Sequence, residues 1–190
     1  MANKVEFGIS NLHVGTYTVG TTGTVTLGTP YHQEGAVSFS PSMEGSENNF
    51  YADNIAYWSE FADGNMSGDV VVAKFDTDFK KNFLGYKTTT AGGTAVVKNA
   101  TKPKVYVMFQ VEGDEEPYRC IMYNASLSGI TRAYNTIAET KTPDTEKITI
   151  TVNGDNATGI VMDTIPYSTS TSSTYATMFT TPPTPGISNS

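Results

Sequence analysis

The 190-residue sequence contains a single cysteine, Cys120. One cysteine excludes an intramolecular disulfide, so the chain is not a disulfide-stabilised secreted domain. Charged residues are also scarce, at 16% of the sequence, whereas about 25% is usual in globular domains. Thr, Ser, Gly and Asn take their place, and these residues favour strands and turns over helices. The two deficits predict a β-rich protein that folds without covalent cross-links.

Long apolar stretches and an excess of positive charge are missing as well. No segment approaches the ~18 apolar residues that a membrane-spanning helix needs. Residues 1–4 lead into a strand pattern and not into the apolar region of a signal peptide. We therefore expect folding in the cytosol without a membrane partner. The net charge of −7 argues against a general nucleic-acid binder, which needs a positive patch.

The sequence also lacks the residue patterns of enzymes and metal proteins. His13 and His32 are the only histidines, and no HExxH, CxxC or GxSxG pattern accompanies them. Residues 63–68 resemble the first half of a calcium-binding loop, but Lys74 stands where a bidentate Glu is required. We predict no catalytic residue, no metal site and no cofactor, and we expect that the protein is not an enzyme.

Alternating apolar and polar residues predict strands along most of the chain. The clearest strands of the second half are predicted at residues 105–111, 118–127 and 146–152. The first two are separated by a polar turn and therefore predict a hairpin. Asn153-Gly154 is a strong turn signal, which predicts that residues 160–162 return as the partner of the third strand.

The central stretch, residues 35–85, is predicted to contain four strands followed by one helix. Asp63-Gly64-Asn65 is interpreted as a turn between two of these strands. The helix is predicted over Asp76–Leu84, with Asp76 as N-cap and Gly85 just beyond its end. Its apolar face packs on the sheet through four residues, namely Phe75, Phe79, Phe83 and Leu84.

A run of aromatic residues in this stretch allows two interpretations. The residues are Phe50, Tyr51, Tyr57, Trp58 and Phe61. Aromatic residues are favoured in strands and at subunit contacts, so the run can serve core and interface packing. It can also form a sugar-stacking platform. The second interpretation gives the alternative function, a β-sandwich adhesion or carbohydrate-binding module.

The last part of the chain differs in composition from the rest. Residues 164–190 contain 14 Ser or Thr and no charged residue, so this segment cannot build a core of its own. It is either disordered or an arm that lies on another surface, with Tyr175 and Phe179 as anchors four residues apart. We therefore predict a β domain at residues 1–163 and a Ser/Thr-rich C-terminal arm at residues 164–190.

An ordered series of short motifs resembles the major tail proteins of bacteriophages with long non-contractile tails. These proteins are the tail tube subunits. The resemblance extends over most of residues 1–163 and is carried by Met1–Gly8, Gly28–Pro30, Gly35–Ser40, Phe50–Asn54, Gly68–Asp69 and Phe83–Gly85. It implies a mainly β protein: a β-sandwich or half-barrel with one flanking α-helix, an extended loop and terminal arms.

The resemblance also implies a structural function in the virion. Six subunits would close a ring, and stacked rings would form a tube that encloses the tape-measure protein and conducts DNA during ejection. The implied partners are further copies of the chain, the tape-measure protein, and the tail terminator and distal tail proteins. DNA would pass through the lumen without specific binding. The location would be the virion tail, after assembly in the host cytoplasm.

Two groups of polar residues are candidates for functions in such a tube. A polar loop is predicted to reach the adjacent subunit or ring, and it consists of Glu44, Gly45, Ser46, Glu47, Asn48 and Asn49. Acidic residues that face the lumen would repel phosphate and let DNA slide. The candidates are Glu44, Glu47, Asp53, Glu60 and Asp69.

Overall fold

The computed structural model describes residues 4–113, 115–136 and 143–188. The chain is 51% strand and 8% helix, which confirms the predicted mainly β class. The elements in chain order are β1 (Glu6–Val19), β2 (Val25–Leu27), β3 (Tyr31–His32), β4 (Ala36–Ala52), β5 (Ile55–Val72), α1 (Thr77–Leu84), β6 (Lys87–Thr88), β7 (Thr94–Ala95), β8 (Val105–Gly113), β9 (Tyr118–Leu127), β10 (Thr131–Arg132), β11 (Glu146–Val152), β12 (Met162–Pro166) and α2 (Ser172–Thr177).

One antiparallel sheet organises the molecule, in the strand order β2-β1-β8-β9-β11-β5-β4. Three short strands extend it at the sides, since β3 pairs with β1, β10 with β11 and β12 with β9. The predicted hairpin of the second half is β8–β9. Strands β6 and β7 form a separate two-stranded ribbon.

The sheet curls until its two halves meet. Phe39 on β4 contacts Phe109 on β8 edge to face, with ring centroids 5.3 Å apart. Three strands of the sheet lie between β4 and β8, so only a curled sheet brings these rings together. The apolar faces of β1, β5, β8, β9 and β11 then enclose the main hydrophobic core. Of the two forms that the resemblance implies, β-sandwich or half-barrel, this curled sheet corresponds to the half-barrel.

Helix α1 closes this core. Asp76 occupies the N-cap, although its carboxylate accepts a hydrogen bond from the Tyr31 hydroxyl and does not cap the helix. Gly85 ends the helix in the left-handed conformation, at φ 71°, where glycine has no steric cost. The four residues of the predicted packing face are all buried among the core residues of the sheet, and they are Phe75, Phe79, Phe83 and Leu84.

The structure corrects the prediction of four strands in residues 35–72. Two long strands, β4 and β5, form one hairpin there, and the chain reverses at Asp53-Asn54, where φ is 52° and 62°. Both values match a type I′ turn, and Asp and Asn tolerate this region. The predicted turn at residues 63–65 is wrong. Gly64 lies inside β5, where a Cβ atom would come within 2.8 Å of the Glu44 carbonyl oxygen. This glycine therefore allows two strands to approach at a β-bulge.

The strand after Asn153-Gly154 also differs from its prediction. We expected residues 160–162 to pair with β11, but β12 pairs with residues 118–122 of β9. Strand β11 pairs only with residues 125–127 of β9, and the free backbone groups along the remaining edge take β12 as their partner. The predicted boundary between residues 163 and 164 falls inside β12.

A second, smaller core lies on the other face of β8 and β9. Tyr175 and Met178 of the C-terminal segment are buried there against Tyr106, Ile121 and Tyr123. The backbone carbonyl of Pro183 accepts a hydrogen bond from the Tyr123 hydroxyl at 2.9 Å. The C-terminal segment thus lies on the chain's own sheet, and it includes a second short helix, α2.

Candidate functional site

In the part of the chain that the structure describes, no third strand lies beside the outer part of the β4–β5 hairpin. Strand β5 pairs with β11 only over residues 66–72, whereas β4 pairs with β5 along its whole length. Residues 44–65 therefore form a two-stranded ribbon that pairs only with itself. Apart from the partly covered Ala52, every residue of this ribbon is exposed. Isolated two-stranded hairpins are marginally stable in water, so this segment needs a partner surface.

The ribbon carries the aromatic run of the sequence, together with Ile55. The exposed fractions are 74% for Tyr57, 66% for Phe61, 64% for Tyr51, 63% for Ile55, 59% for Phe50 and 49% for Trp58. None of these side chains belongs to either core of the chain. Contiguous exposed apolar surface of this kind marks interaction sites in soluble proteins.

The structure moves the predicted polar loop Glu44–Asn49 into a strand. These residues lie in β4, and Gly45–Asn49 pair with residues 59–63 of β5, between the bulge and the tip of the hairpin. The tip itself is Asp53-Asn54. The prediction of a loop is wrong because the polar residues were interpreted as a turn, whereas they form an exposed strand. Glu44 accepts a hydrogen bond from the Ser67 hydroxyl at 2.6 Å.

All five acidic candidates lie on this hairpin, but in two different settings. Glu44, Glu47, Asp53 and Glu60 lie on the self-paired ribbon, whereas Asp69 lies where β5 joins the sheet. Asp69 accepts hydrogen bonds from Lys147 Nζ at 2.8 Å and from the Thr149 hydroxyl at 2.7 Å. These two hydrogen bonds lower the pKa of Asp69. Of the five candidates, Asp69 forms an ion pair with Lys147, whereas the other four form no ion pair with a described residue.

A buried ionic cluster holds the base of the hairpin. Glu146 is 2% exposed and accepts hydrogen bonds from the Phe75 backbone N–H at 2.7 Å, from Lys80 and from Arg132. Burial alone would raise the pKa of Glu146, but these hydrogen bonds and the two positive charges outweigh burial and lower it. The cluster thus ties α1 to β11, which pairs with β5. The sequence analysis missed it, although the alternation of residues 146–152 already places Glu146 on the apolar face.

The predicted C-terminal anchors meet around one cation. The Arg119 guanidinium lies 4.1 Å from the centroid of the Tyr175 ring and 4.4 Å from that of Phe179. Arg119 also donates a hydrogen bond to the Tyr175 backbone carbonyl. Phe179 stacks on His13, which stacks on His32. Burial, together with the nearby charges of His32 and Arg119, lowers the pKa of His13. The histidines thus serve aromatic packing.

The described residues contain neither a metal-ligand cluster nor a membrane-spanning helix. Within residues 4–113, 115–136 and 143–188, no three His, Cys, Asp or Glu side chains come together as a metal site. None of the helices described is long and apolar enough to span a bilayer. Cys120 is buried, and burial raises the pKa of its thiol to about 11, so the thiol is protonated at neutral pH.

A solved structure that aligns at a TM-score of 0.50 has the same fold at low identity. The cryo-EM structure of the anti-feeding prophage cap, a tube-terminating cap, aligns with a TM-score of 0.50 and 10% identity, over 88% of this chain and 97% of that one. A chain of the sheath-tube complex of the extracellular contractile injection system PVC aligns with a TM-score of 0.48 and 10% identity, over 82% of this chain and 89% of that one.

Comparison of the sequence identifies the family. No curated protein matches the chain. The family model described as "Phage tail tube protein" matches residues 2–175, which include the whole curled sheet, the projecting hairpin and most of α2. The chain therefore belongs to the phage tail tube protein family and is a structural component of a phage tail.

Proposed function

We propose that this chain assembles with copies of itself into stacked rings of six subunits that form the tail tube. The tube encloses the tape-measure protein and conducts DNA during ejection, and it assembles in the host cytoplasm. Tail terminator and distal tail proteins bind its two ends. The family membership supports this proposal, and so does the organisation of the chain into a closed body and an unpartnered ribbon.

The observation that carries the proposal is the self-paired ribbon at residues 44–65. It places six large apolar side chains in water, and none of the described residues covers them. Burial of apolar surface contributes roughly 25 cal/mol per Å², so the ribbon gains most by docking on another subunit. A ribbon that docks on a different part of a second copy leaves the ribbon of that copy free. Contacts of this kind generate rings and filaments.

The charge of the chain supports passage of DNA without specific binding. Each subunit has a net charge of −7, and hairpin β4–β5 contains acidic residues but no Lys or Arg. Those of the acidic candidates Glu44, Glu47, Asp53, Glu60 and Asp69 that line the lumen, and are not covered by a neighbouring copy, repel the phosphate backbone. Glu44 and Asp69 lie nearest the base of the hairpin, so neutralising these two with Gln and Asn should slow DNA ejection from assembled phage without changing tube length.

The segment after β12 is proposed to act as the C-terminal arm. In the free subunit it is held on the chain's own sheet by Tyr175, Phe179 and Arg119. Exchange of an identical segment between neighbouring copies replaces these contacts with equivalent ones, so it costs little. Cross-linking of residues 164–188 between neighbouring subunits of a tube, but not in the monomer, would support this role.

Electron microscopy of the concentrated purified protein tests the function. We expect tubes or rings with a central hole. The matched variant lacks residues 46–62 and joins Gly45 to Asp63, which lie opposite each other, through an inserted Asn-Gly turn. It should remain a folded monomer at every concentration. Normal tubes from this variant would contradict the role of the ribbon, and a persistent wild-type monomer would contradict the proposed function.

The alternative function, carbohydrate binding, is favoured by the exposure of Tyr57 and Trp58. A glycan array probed with the monomer separates the two functions. The alternative would be established if the wild-type chain forms no tubes but binds a glycan, and if Tyr57→Ala and Trp58→Ala abolish that binding. We expect no glycan binding, because the Tyr57 and Trp58 side chains belong to the surface that is buried between subunits.

A further inference from the structure

Charge is distributed very unevenly between two parts of the chain. Residues 36–72, which contain the hairpin, hold six acidic residues and no Lys or Arg. Residues 79–111 hold six lysines and no acidic residue. A negative hairpin and a positive segment on the same chain attract each other when they belong to different copies. They also repel their own kind, which disfavours contact between two hairpins.

Only part of the positive segment is available to a partner. Lys80 is bound to the buried Glu146, Lys102 donates to the Leu127 carbonyl, and Lys104 donates to the Ser126 hydroxyl. Lys87 on β6 and Lys98 just after β7 are exposed, and neither forms an ion pair with any described residue. Lys81 on α1 is half-buried. Lys87 and Lys98 are therefore the two lysines of this segment that are exposed and have neither an ion pair nor a hydrogen bond to a described residue, and they lie on or next to the β6–β7 ribbon.

The residues that follow β7 expose apolar side chains next to these lysines. Val96 is 74% exposed and Val97 is 43% exposed, although each is a β-branched residue suited to a packed surface. Beside Val96 lies a pocket of about 390 Å³, bordered by Tyr86 and Tyr134 among others. We define Lys87, Val96, Val97 and Lys98 as the acceptor surface. Positive charge, exposed valines and an open pocket match a ligand that is acidic and aromatic.

We propose that the hairpin ribbon at residues 44–65 of one copy docks on the acceptor surface of a second copy. The inference rests on the proposed function, since it names the surface that receives the ribbon in the tube. The ribbon has the required chemistry: Glu47, Asp53, Glu60 and Asp63 are exposed among the aromatic residues, and none forms an ion pair with a described residue. The contact is head to tail, so it propagates from subunit to subunit.

Charge reversal on each side tests the pairing. One variant carries Lys87→Glu and Lys98→Glu, and the other carries Glu47→Lys and Glu60→Lys. Like charges then face each other in either homopolymer, and we expect the critical concentration for tube formation to rise at least about tenfold, because like-charge contacts cost several kcal/mol. Lys74→Glu with Lys104→Glu is the matched control. This control changes the net charge by the same amount as Lys87→Glu with Lys98→Glu, and it should assemble like the wild type.

Mixing the two reversed variants is the decisive measurement. The acidic ribbon of one then meets the basic acceptor surface of the other, and the reversed ribbon meets the reversed surface. We expect the equimolar mixture, and the chain that combines all four substitutions, to form tubes again. Circular dichroism melting of each variant confirms that the monomers are folded, and all substituted positions are exposed.

The outcomes separate this inference from the proposed function. Normal tubes from the Lys87→Glu, Lys98→Glu variant, or loss of tubes that mixing does not restore, would overturn the docking surface while wild-type tubes still support the function. Absence of wild-type tubes would overturn the proposed function and this inference with it. Equal loss of assembly in the control would show that net charge, and not this surface, governs association, and would also overturn the inference.

Discussion

The curled sheet and the projecting hairpin contain similar residues but place them in opposite environments. Val70 and Val72 of β5 are 1% and 0% exposed, whereas Tyr57 and Phe61 of the same strand are 74% and 66% exposed. All four residues lie in the one continuous strand β5. What changes is the neighbour, because β11 accompanies residues 66–72 and ends there. Whether an apolar residue of β5 is buried or exposed therefore depends on whether a second neighbouring strand lies beside it.

This difference separates folding from assembly within one chain. The body has two cores of its own and is held by buried polar contacts such as Glu146 and Asp155. The ribbon contributes little to the stability of the monomer, because it buries almost nothing within it. We therefore expect substitutions in the body to change the free energy of unfolding, and substitutions in the ribbon to change only association.

The largest expected effect comes from a phenylalanine in the body. Phe79→Ala removes a ring that is fully buried and stacked on Phe75 at 4.8 Å. We expect the free energy of unfolding to fall by about 3–5 kcal/mol, from lost burial and the remaining cavity. Phe61→Ala is the matched control on the ribbon and should cost less than about 0.5 kcal/mol. Urea denaturation of both monomers gives the two values, and equal losses would refute the separation of body and ribbon.

The next largest effect is expected at the ionic cluster between α1 and β11. Glu146→Gln leaves the Lys80 and Arg132 charges without their partner and weakens the hydrogen bond from the Phe75 N–H. We expect a loss of about 2–3 kcal/mol at pH 7. Chemical denaturation measures it, with Asp69→Asn as the exposed control, which should cost clearly less because solvent screens this ion pair.

The same variant gives a prediction of pH dependence. The pKa of Glu146 is lowered in the folded protein from its ordinary value of 4.5. Its contribution to stability is therefore complete above that value and is lost as the pH falls through the folded-state pKa. The stability curve of Glu146→Gln should be flatter than that of the wild type below about pH 4.5. Parallel curves in this acid range would show that Glu146 has no lowered pKa.

A smaller effect is expected where the C-terminal segment meets the sheet. Arg119→Met removes the cation between the Tyr175 and Phe179 rings, and we expect a loss of about 1–2 kcal/mol. Amide hydrogen exchange and limited proteolysis should quicken in residues 167–183, while the curled sheet stays protected. Arg119→Lys retains the charge and should have an intermediate effect. Unchanged exchange in the Met variant would show that Tyr175 and Met178 hold the segment without help.

The smallest effect on stability should accompany the greatest effect on assembly. Trp58→Ser with Phe61→Ser replaces two exposed rings on the ribbon. The free energy of unfolding should change by less than about 0.5 kcal/mol. Sedimentation and electron microscopy should nevertheless show loss of tubes, because these rings lie on the surface proposed to dock. A variant that is destabilised and still forms tubes would reverse the comparison.

Much of the body was predictable because its signals are local. Alternation at residues 105–111 and 118–127 identifies β8 and β9, since strand side chains alternate between faces. The spacing of Phe75, Phe79 and Phe83 identifies α1 and its packing face in the same way. Predictions failed where the environment decides the outcome. Gly64 was interpreted as a turn because glycine permits turns, but here it permits close approach of two strands.

The candidate site was predictable in its residues but not in its arrangement. The sequence identified the polar residues 44–49, the aromatic run and the acidic residues, which all lie on one hairpin. It could not show that β11 leaves the outer hairpin without a neighbour, because strand order is set by contacts between residues far apart in the chain. The proposed acceptor surface was missed for a related reason: nothing in the sequence around Lys87 and Lys98 shows that both are exposed and form no ion pair with a described residue.

By itself, therefore, the sequence determined the β class, helix α1, the absence of cross-links and the acidic character of the chain. These properties follow from composition and short-range periodicity. Only the tertiary structure decided which apolar residues are core and which are exposed, where the long hairpin turns, and that Glu146 is a buried ionic partner. Those properties depend on which strands become neighbours, and pairing between distant segments is decided by the burial and hydrogen bonding of the whole sheet.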